Sequence, residues 1–110
     1  KTYSESLLDP EILIFDYSRM YISDNLHVAF QTLPYFKQTY GRAPKPWNDD
    51  DAEKFYVSAS EINCKMSDNS ITNKLDKHLI KLLAKICTGD LCPMQGVIGG
   101  TAAQEVIKVC

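Results

Sequence analysis

Apolar side chains recur at intervals of three and four residues in three separate segments of this chain. Such spacing places the apolar residues on one face of an α-helix, and that face must be buried against other apolar surface. We therefore expect three amphipathic helices that pack together as a bundle. Their apolar positions are Leu26, Ala29, Phe30, Leu33, Phe36 and Tyr40; Ala52, Phe55, Tyr56, Ala59, Ile62 and Met66; and Leu75, Leu79, Leu82, Leu83 and Ile86.

Residues that favour helix ends flank the first of these segments. Asp24 or Asn25 is predicted to accept the free N–H groups at its start, and Gly41 is predicted to end it in a left-handed conformation. Pro34 lies inside the segment and lacks a backbone donor. We expect a kink or a split near Phe30 for this reason.

The second segment is predicted to begin at Asn48 as the capping residue. Acidic residues follow directly and suit the positive end of the helix dipole, so the acidic run requires no ligand. The opposite face of this helix is predicted to be hydrated, and it carries Lys54, Ser58, Glu61 and Lys65. Residues 67–70 are predicted to form a polar loop before the third segment, which Gly89 is expected to end.

Residues 11–16 differ from these helical segments because they form a short apolar run bounded by residues typical of turns. β-branched and aromatic side chains contribute to the run, which predicts one buried strand.

The last segment, from Leu91 to Cys110, is predicted to carry little side chain on one face. Its small residues are Gly96, Gly99, Gly100, Ala102 and Ala103. Glycine costs a helix about 1 kcal/mol relative to alanine, so a helix here requires close packing against a neighbouring backbone. The chain also begins without methionine and ends within a helical pattern, so we interpret it as a piece of a longer protein.

Composition excludes several classes of partner. The 12 Lys and Arg residues and 14 Asp and Glu residues give a net charge of -2, with no basic stripe to neutralise phosphates, so nucleic acid is not an expected partner. No apolar run reaches the roughly 18 residues that span a bilayer, so we expect no membrane partner.

No residue of the chain is assigned a catalytic, cofactor-binding or metal-binding role. His27 and His78 are single histidines without a second ligand at helical spacing. Residues 96–100 lack the glycine order of a nucleotide-binding loop. The cysteines have no zinc-type spacing and are expected to be reduced and mostly buried. They are Cys64, Cys87, Cys92 and Cys110.

Among the cysteines, Cys87 is the candidate nucleophile to consider, because the hydroxyl residue Thr88 follows it. Its predicted position at the C-terminal end of a helix favours the thiol over the thiolate, and no histidine stands beside it in sequence. We interpret Cys87 as structural.

Residues 88–108, with the order Gly-Gly-Thr-Ala-Ala-Gln-Glu-Val near their end, resemble a signature of ubiquitin-activating enzymes. Residues 26–31 and the link at residues 40–46 resemble the same family in the same order. The resemblance implies the four-helix bundle and the closing part of the inactive adenylation half. The expected fold class is mainly α: a small bundle of about four helices with one short N-terminal strand, as part of a larger α/β adenylation domain.

This resemblance also implies a division of the chain. Residues 1–23 would be a strand and connector of the inactive adenylation half, residues 24–88 the helical bundle, and residues 89–110 the glycine-rich packing helix. Pro34 and the pair Gln95 and Gly96 depart from the family pattern, which bears on helix straightness and local packing.

By resemblance, the parent enzyme uses ATP and Mg to adenylate ubiquitin, forms a cysteine thioester and passes ubiquitin to a conjugating enzyme in the cytoplasm and nucleus. The motifs for that chemistry are absent from this chain, so its expected role is structural, and its partner is the remainder of the parent chain. Ubiquitin and the conjugating enzyme are expected partners through the parent. One alternative is a regulatory-subunit segment of a two-chain activating enzyme for a ubiquitin-like protein; another is a free-standing helical interaction domain.

Overall fold

The computed structural model describes residues 1–12, 16–65 and 74–109. Over these residues the chain is mainly α-helical, as predicted, and contains no strand. No helix of these residues is long and apolar enough to cross a membrane. The helices are α1 (Tyr3–Leu8), a short 3-10 helix (Tyr17–Arg19), α2 (Met20–Tyr40), α3 (Asp49–Lys65), α4 (Lys77–Ile86) and α5 (Cys92–Val109).

Two predicted elements include residues that the structure does not describe. Half of the strand predicted at residues 11–16, namely residues 13–15, lies outside the described ranges, and so does the whole loop at residues 67–70. The polar opening of the chain forms helix α1. Its capping box consists of the Glu5 N–H donating to Thr2 Oγ1 over 3.3 Å and the Thr2 N–H donating to Glu5 Oε2 over 2.7 Å.

Helix α2 begins earlier than the sequence pattern predicted. The 3-10 helix leads directly into it, and Asp16 caps that turn by accepting the Ser18 N–H over 2.9 Å. The prediction of Asp24 or Asn25 as the cap was therefore wrong. Asn25 lies within α2 and is fully buried: its side-chain Nδ2 donates to the Tyr21 carbonyl over 2.7 Å, and its Oδ1 accepts the Asp76 N–H over the same distance. This asparagine joins α2 to the start of α4.

Pro34 does not divide α2, so a split near Phe30 was a wrong prediction, while a kink stays a prediction. Pro34 is exposed, and water can hydrate the carbonyl group that its missing N–H leaves without a partner. The predicted helix end is confirmed: Gly41 has a φ of 69°, which glycine adopts without steric cost, and its N–H donates to the Lys37 carbonyl over 2.9 Å.

The core lies where α2, α3 and α4 meet, and α3 packs against both of the other helices. The rings of Phe36 and Phe55 have centroids 5.9 Å apart, in a tilted arrangement. Four alanines belong to the same buried cluster, and their small side chains let the helices approach closely. The buried core residues are Val28, Ala29, Phe36, Ala52, Phe55, Ala59, Ile80 and Ala84.

The buried face of α2 is rotated from the predicted stripe. Phe30 is 59% exposed and Tyr40 is 42% exposed, whereas Val28 and Thr32 are fully buried. Thr32 is tolerated in the core because its hydroxyl donates to the Val28 carbonyl over 2.8 Å.

Similar corrections apply to the other two helices. In α4 the buried residues are Ile80 and Ala84, while Leu82 and Ile86, both predicted to be buried, are exposed. In α3 the predicted face is largely confirmed over the described residues, and Met66 lies outside them. Ser58, however, is buried, not hydrated. Its hydroxyl donates to the Lys54 carbonyl over 3.0 Å, which satisfies the polar group inside the bundle.

Truncation of a core side chain should destabilise the bundle far more than truncation of an exposed one. Ile80→Ala removes a fully buried side chain and should lower the free energy of unfolding by about 2–5 kcal/mol. Val57→Ala, at a position that is 52% exposed, should change it by less than about 0.5 kcal/mol. Urea denaturation followed by circular dichroism measures both, and equal losses would contradict the assigned core.

Candidate functional site

The most highly organised polar group is the carboxylate of Asp51, in the first turn of α3. Its side chain is only 4% exposed. The Arg42 guanidinium donates to both carboxylate oxygens, over 2.5 and 3.0 Å, and the Lys45 N–H donates to Oδ2 over 2.9 Å. The Asp51 N–H donates in turn to Asn48 Oδ1 over 2.9 Å, which confirms Asn48 as the helix cap. These bonds fix the connection between α2 and α3.

The charged bonds around Asp51 also set its protonation. Hydrogen bonds from the Arg42 guanidinium and then from the Lys45 N–H hold the pKa of Asp51 well below its usual range. The same ion pair raises the pKa of Arg42. Asp51 is therefore a permanently ionised structural group at neutral pH and a poor proton donor or acceptor.

Sequence analysis missed this arrangement because it treated the acidic run only as a match for the helix dipole. The available signal was an arginine, Arg42, separated from Asp51 by a stiff connection containing Pro44 and Pro46. Pro44 is buried, which anchors the connection against the bundle.

Trp47 occupies an unusual backbone conformation in that connection. Its φ of 54° lies in the left-handed region, where a non-glycine residue is strained by about 1–3 kcal/mol. The Trp47 N–H donates to the Lys85 carbonyl over 3.2 Å, which ties the turn to the end of α4. The indole points away from the core and is 70% exposed.

Ion pairs join α3 to α4 along the side that carries the lysines. Glu53 bridges Lys77 and Lys81, and Asp49 pairs with Lys85 over 2.5 Å. These lysines lower the pKa values of Glu53 and Asp49 through hydrogen bonds and charge. Because both carboxylates are exposed, dissolved salt screens these ion pairs.

The cysteines differ from their predicted burial. Cys64 and Cys92 are exposed, Cys87 is half-buried, and Cys110 lies outside the described residues. The Cys87 thiol donates to the Ala84 carbonyl over 3.4 Å, and burial raises its pKa. This thiol is a weaker nucleophile than an ordinary cysteine at neutral pH.

The two histidines do not come together. His27 Nε2 lies 3.0 Å from the Leu7 carbonyl, a contact that links α2 to α1, and His78 is exposed in the first turn of α4. Over residues 1–12, 16–65 and 74–109, no three His, Cys, Asp or Glu side chains are grouped closely enough to hold a metal ion.

Helix α5 forms, as predicted, but every one of its residues is exposed. Apart from its chain neighbours and the nearby backbone of α5 itself, a Cβ placed on Gly96, Gly99 or Gly100 would meet no atom within 4 Å. An apolar groove of about 610 Å³ lies between the end of α4 and the start of α5. It is lined by Ile86, Gly89, Leu91, Met94, Gln95 and Ile98.

A family model and individual relatives both indicate the same family for this chain. A family model described as the ubiquitin-activating enzyme E1 four-helix bundle matches residues 1–63. The human ubiquitin-like modifier-activating enzyme 1 is 37% identical over 110 residues, which is 100% of this chain. The ubiquitin-activating enzyme E1 1 of Schizosaccharomyces pombe is 38% identical over 109 residues, covering 98% of this chain, and that of Arabidopsis thaliana is 35% identical over 111 residues, covering all of it.

The chain belongs to the ubiquitin-activating enzyme family. It spans 10% of the length of these three relatives. The family resemblance read from the sequence is thereby confirmed. The division of this ubiquitin-activating enzyme segment at residues 24 and 89 stays a prediction.

The ion pair at Asp51 should contribute measurably to the stability of this ubiquitin-activating enzyme segment. Asp51→Asn keeps the shape of the side chain but removes its charge, and should lower the free energy of unfolding by about 1.5–3 kcal/mol, the range for hydrogen bonds to charged groups. Asp50→Asn is the matched control, because Asp50 is an exposed neighbour in the same helical turn and also faces the helix dipole. Urea unfolding should show a much smaller loss of unfolding free energy for the control. Similar losses in the two variants would contradict a stabilising role for the Arg42–Asp51 ion pair.

Acidification should remove the contribution of Asp51 in a defined window. Because its pKa is depressed in the folded chain, the stabilisation is fully present above the pKa of an unfolded aspartate, about 3.9, and is lost as pH falls towards the lower folded value. The difference in unfolding free energy between the wild type and Asp51→Asn should stay constant from about pH 7 to pH 5 and narrow below about pH 4. If this difference were the same at pH 3 as at pH 7, the result would contradict a depressed pKa for Asp51 in the folded chain.

Proposed function

We propose that this chain is a structural, non-catalytic segment of an ATP-dependent ubiquitin-activating enzyme. The parent enzyme adenylates ubiquitin, captures it as a cysteine thioester and transfers it to a conjugating enzyme. Support for this activity comes from relatives that carry the names ubiquitin-activating enzyme E1 1 and ubiquitin-like modifier-activating enzyme 1 and that match nearly the whole chain.

Several polar side chains that could perform chemistry are engaged in holding the bundle together. Asp51 is bound by Arg42, and Glu53 is bound by Lys77 and Lys81. Cys87 lies at the end of α4 with a raised pKa, which disfavours the thiolate that thioester formation needs. These engagements support a scaffold role for the segment.

Helix α5 is the observation that carries the structural proposal. Positions three, four and seven residues apart share one face of a helix, so Gly96, Gly99, Gly100 and Ala103 form one small-residue face. Thr101 and Glu105 lie roughly on the opposite side. A helix that contains three glycines and contacts so little of its own chain needs another surface to stabilise it.

The remainder of the parent polypeptide is the proposed cover of α5. All of this chain corresponds to 10% of the human relative, which is therefore about ten times as long and has ample sequence to supply that surface. Glycine at the contact lets a neighbouring backbone approach closely. The segment would thus attach the bundle to the body of the inactive adenylation half through α5.

ATP and Mg enter this proposal only through the parent enzyme, and no residue of this chain is assigned to them. Ubiquitin and the conjugating enzyme are likewise partners of the parent, and the cytoplasm and nucleus are its proposed locations. The segment itself contacts the remainder of its own polypeptide.

The lengths of the relatives argue against the regulatory-subunit alternative. A regulatory chain of a two-chain enzyme would be shorter and would lack the thioester cysteine. The human relative and those from Schizosaccharomyces pombe and Arabidopsis thaliana are each about ten times as long as this chain, which favours a single long polypeptide. The family match also argues against a free-standing helical domain.

Substitution of a glycine in α5 should have opposite effects in the isolated chain and in the longer enzyme. Gly99→Leu fits the isolated chain without a clash and should raise its helicity, because leucine favours a helix by about 1 kcal/mol over glycine. In the longer enzyme the same side chain would overpack the contact and should destabilise it by about 1–3 kcal/mol. Circular dichroism of the isolated chain and thermal unfolding of the enzyme measure the two effects.

The matched control is Thr101→Leu, which places the same side chain on the opposite side of α5, about 200° further around the helix. It should reduce the melting temperature of the longer enzyme much less than Gly99→Leu does. An enzyme whose melting temperature is unchanged or raised by Gly99→Leu would disprove close packing of the small-residue face.

Removal of the Cys87 thiol should leave the chemistry of the longer enzyme intact. We expect Cys87→Ala to form the ubiquitin thioester at the wild-type rate, because the Cys87 thiol donates a hydrogen bond to the backbone of α4 and has a raised pKa. Non-reducing electrophoresis with ATP, Mg and ubiquitin measures the thioester, and Cys92→Ala serves as a control at an exposed thiol. Loss of the thioester in Cys87→Ala alone, with unchanged melting, would refute the non-catalytic role.

A further inference from the structure

We draw no further inference here: the strongest candidate, the exposed indole of Trp47 on the fixed turn between α2 and α3, carries nothing because nothing in the structure shows what covers it.

Discussion

The carboxylate of Asp51 joins three pieces of backbone that lie between and beside the packed faces of α2 and α3. Through Arg42 it holds the residue just beyond α2, through the Lys45 N–H it holds the proline-containing connection, and its own backbone belongs to α3. A buried carboxylate requires such partners, because an unpaired charge in this position would be costly. This connection leads from α2 into α3, the two helices whose Phe36 and Phe55 rings meet in the core.

Helix α4 is held against α2 and the connection between α2 and α3 by contacts at both of its ends. At its start, the buried Asn25 side chain accepts the Asp76 N–H, and at its end the Lys85 carbonyl accepts the Trp47 N–H. Between these points, Ile80 fills the core. The left-handed turn at Trp47 thus donates an N–H to α4 immediately before α3 begins.

The sequence pattern predicted α2, α3, α4 and α5 but not α1, and it did not locate every buried face. Asn48 and Gly41 were predictable because a cap and a left-handed stop depend on local chemistry. The face of α2 was not, because Val28 and Thr32 lie within one or two positions of Phe30 and only the packing of α3 decides which are buried. The bonds of Asp51 depend on the path of residues 42–50, including the left-handed turn at Trp47, and no periodic pattern encodes that path.

The bundle of α2, α3 and α4 differs from helix α5 in how it is stabilised. From α2 to α4, each buried side-chain polar atom among the described residues has a hydrogen-bond partner, and an apolar core stabilises the three helices. Helix α5 has backbone hydrogen bonds but no buried side chain, and its glycines reduce its intrinsic stability. Selection for a stable isolated helix would favour alanine at those positions. The glycines at these positions suit the proposed close contact with the remainder of the enzyme, because such a contact requires the absence of a side chain.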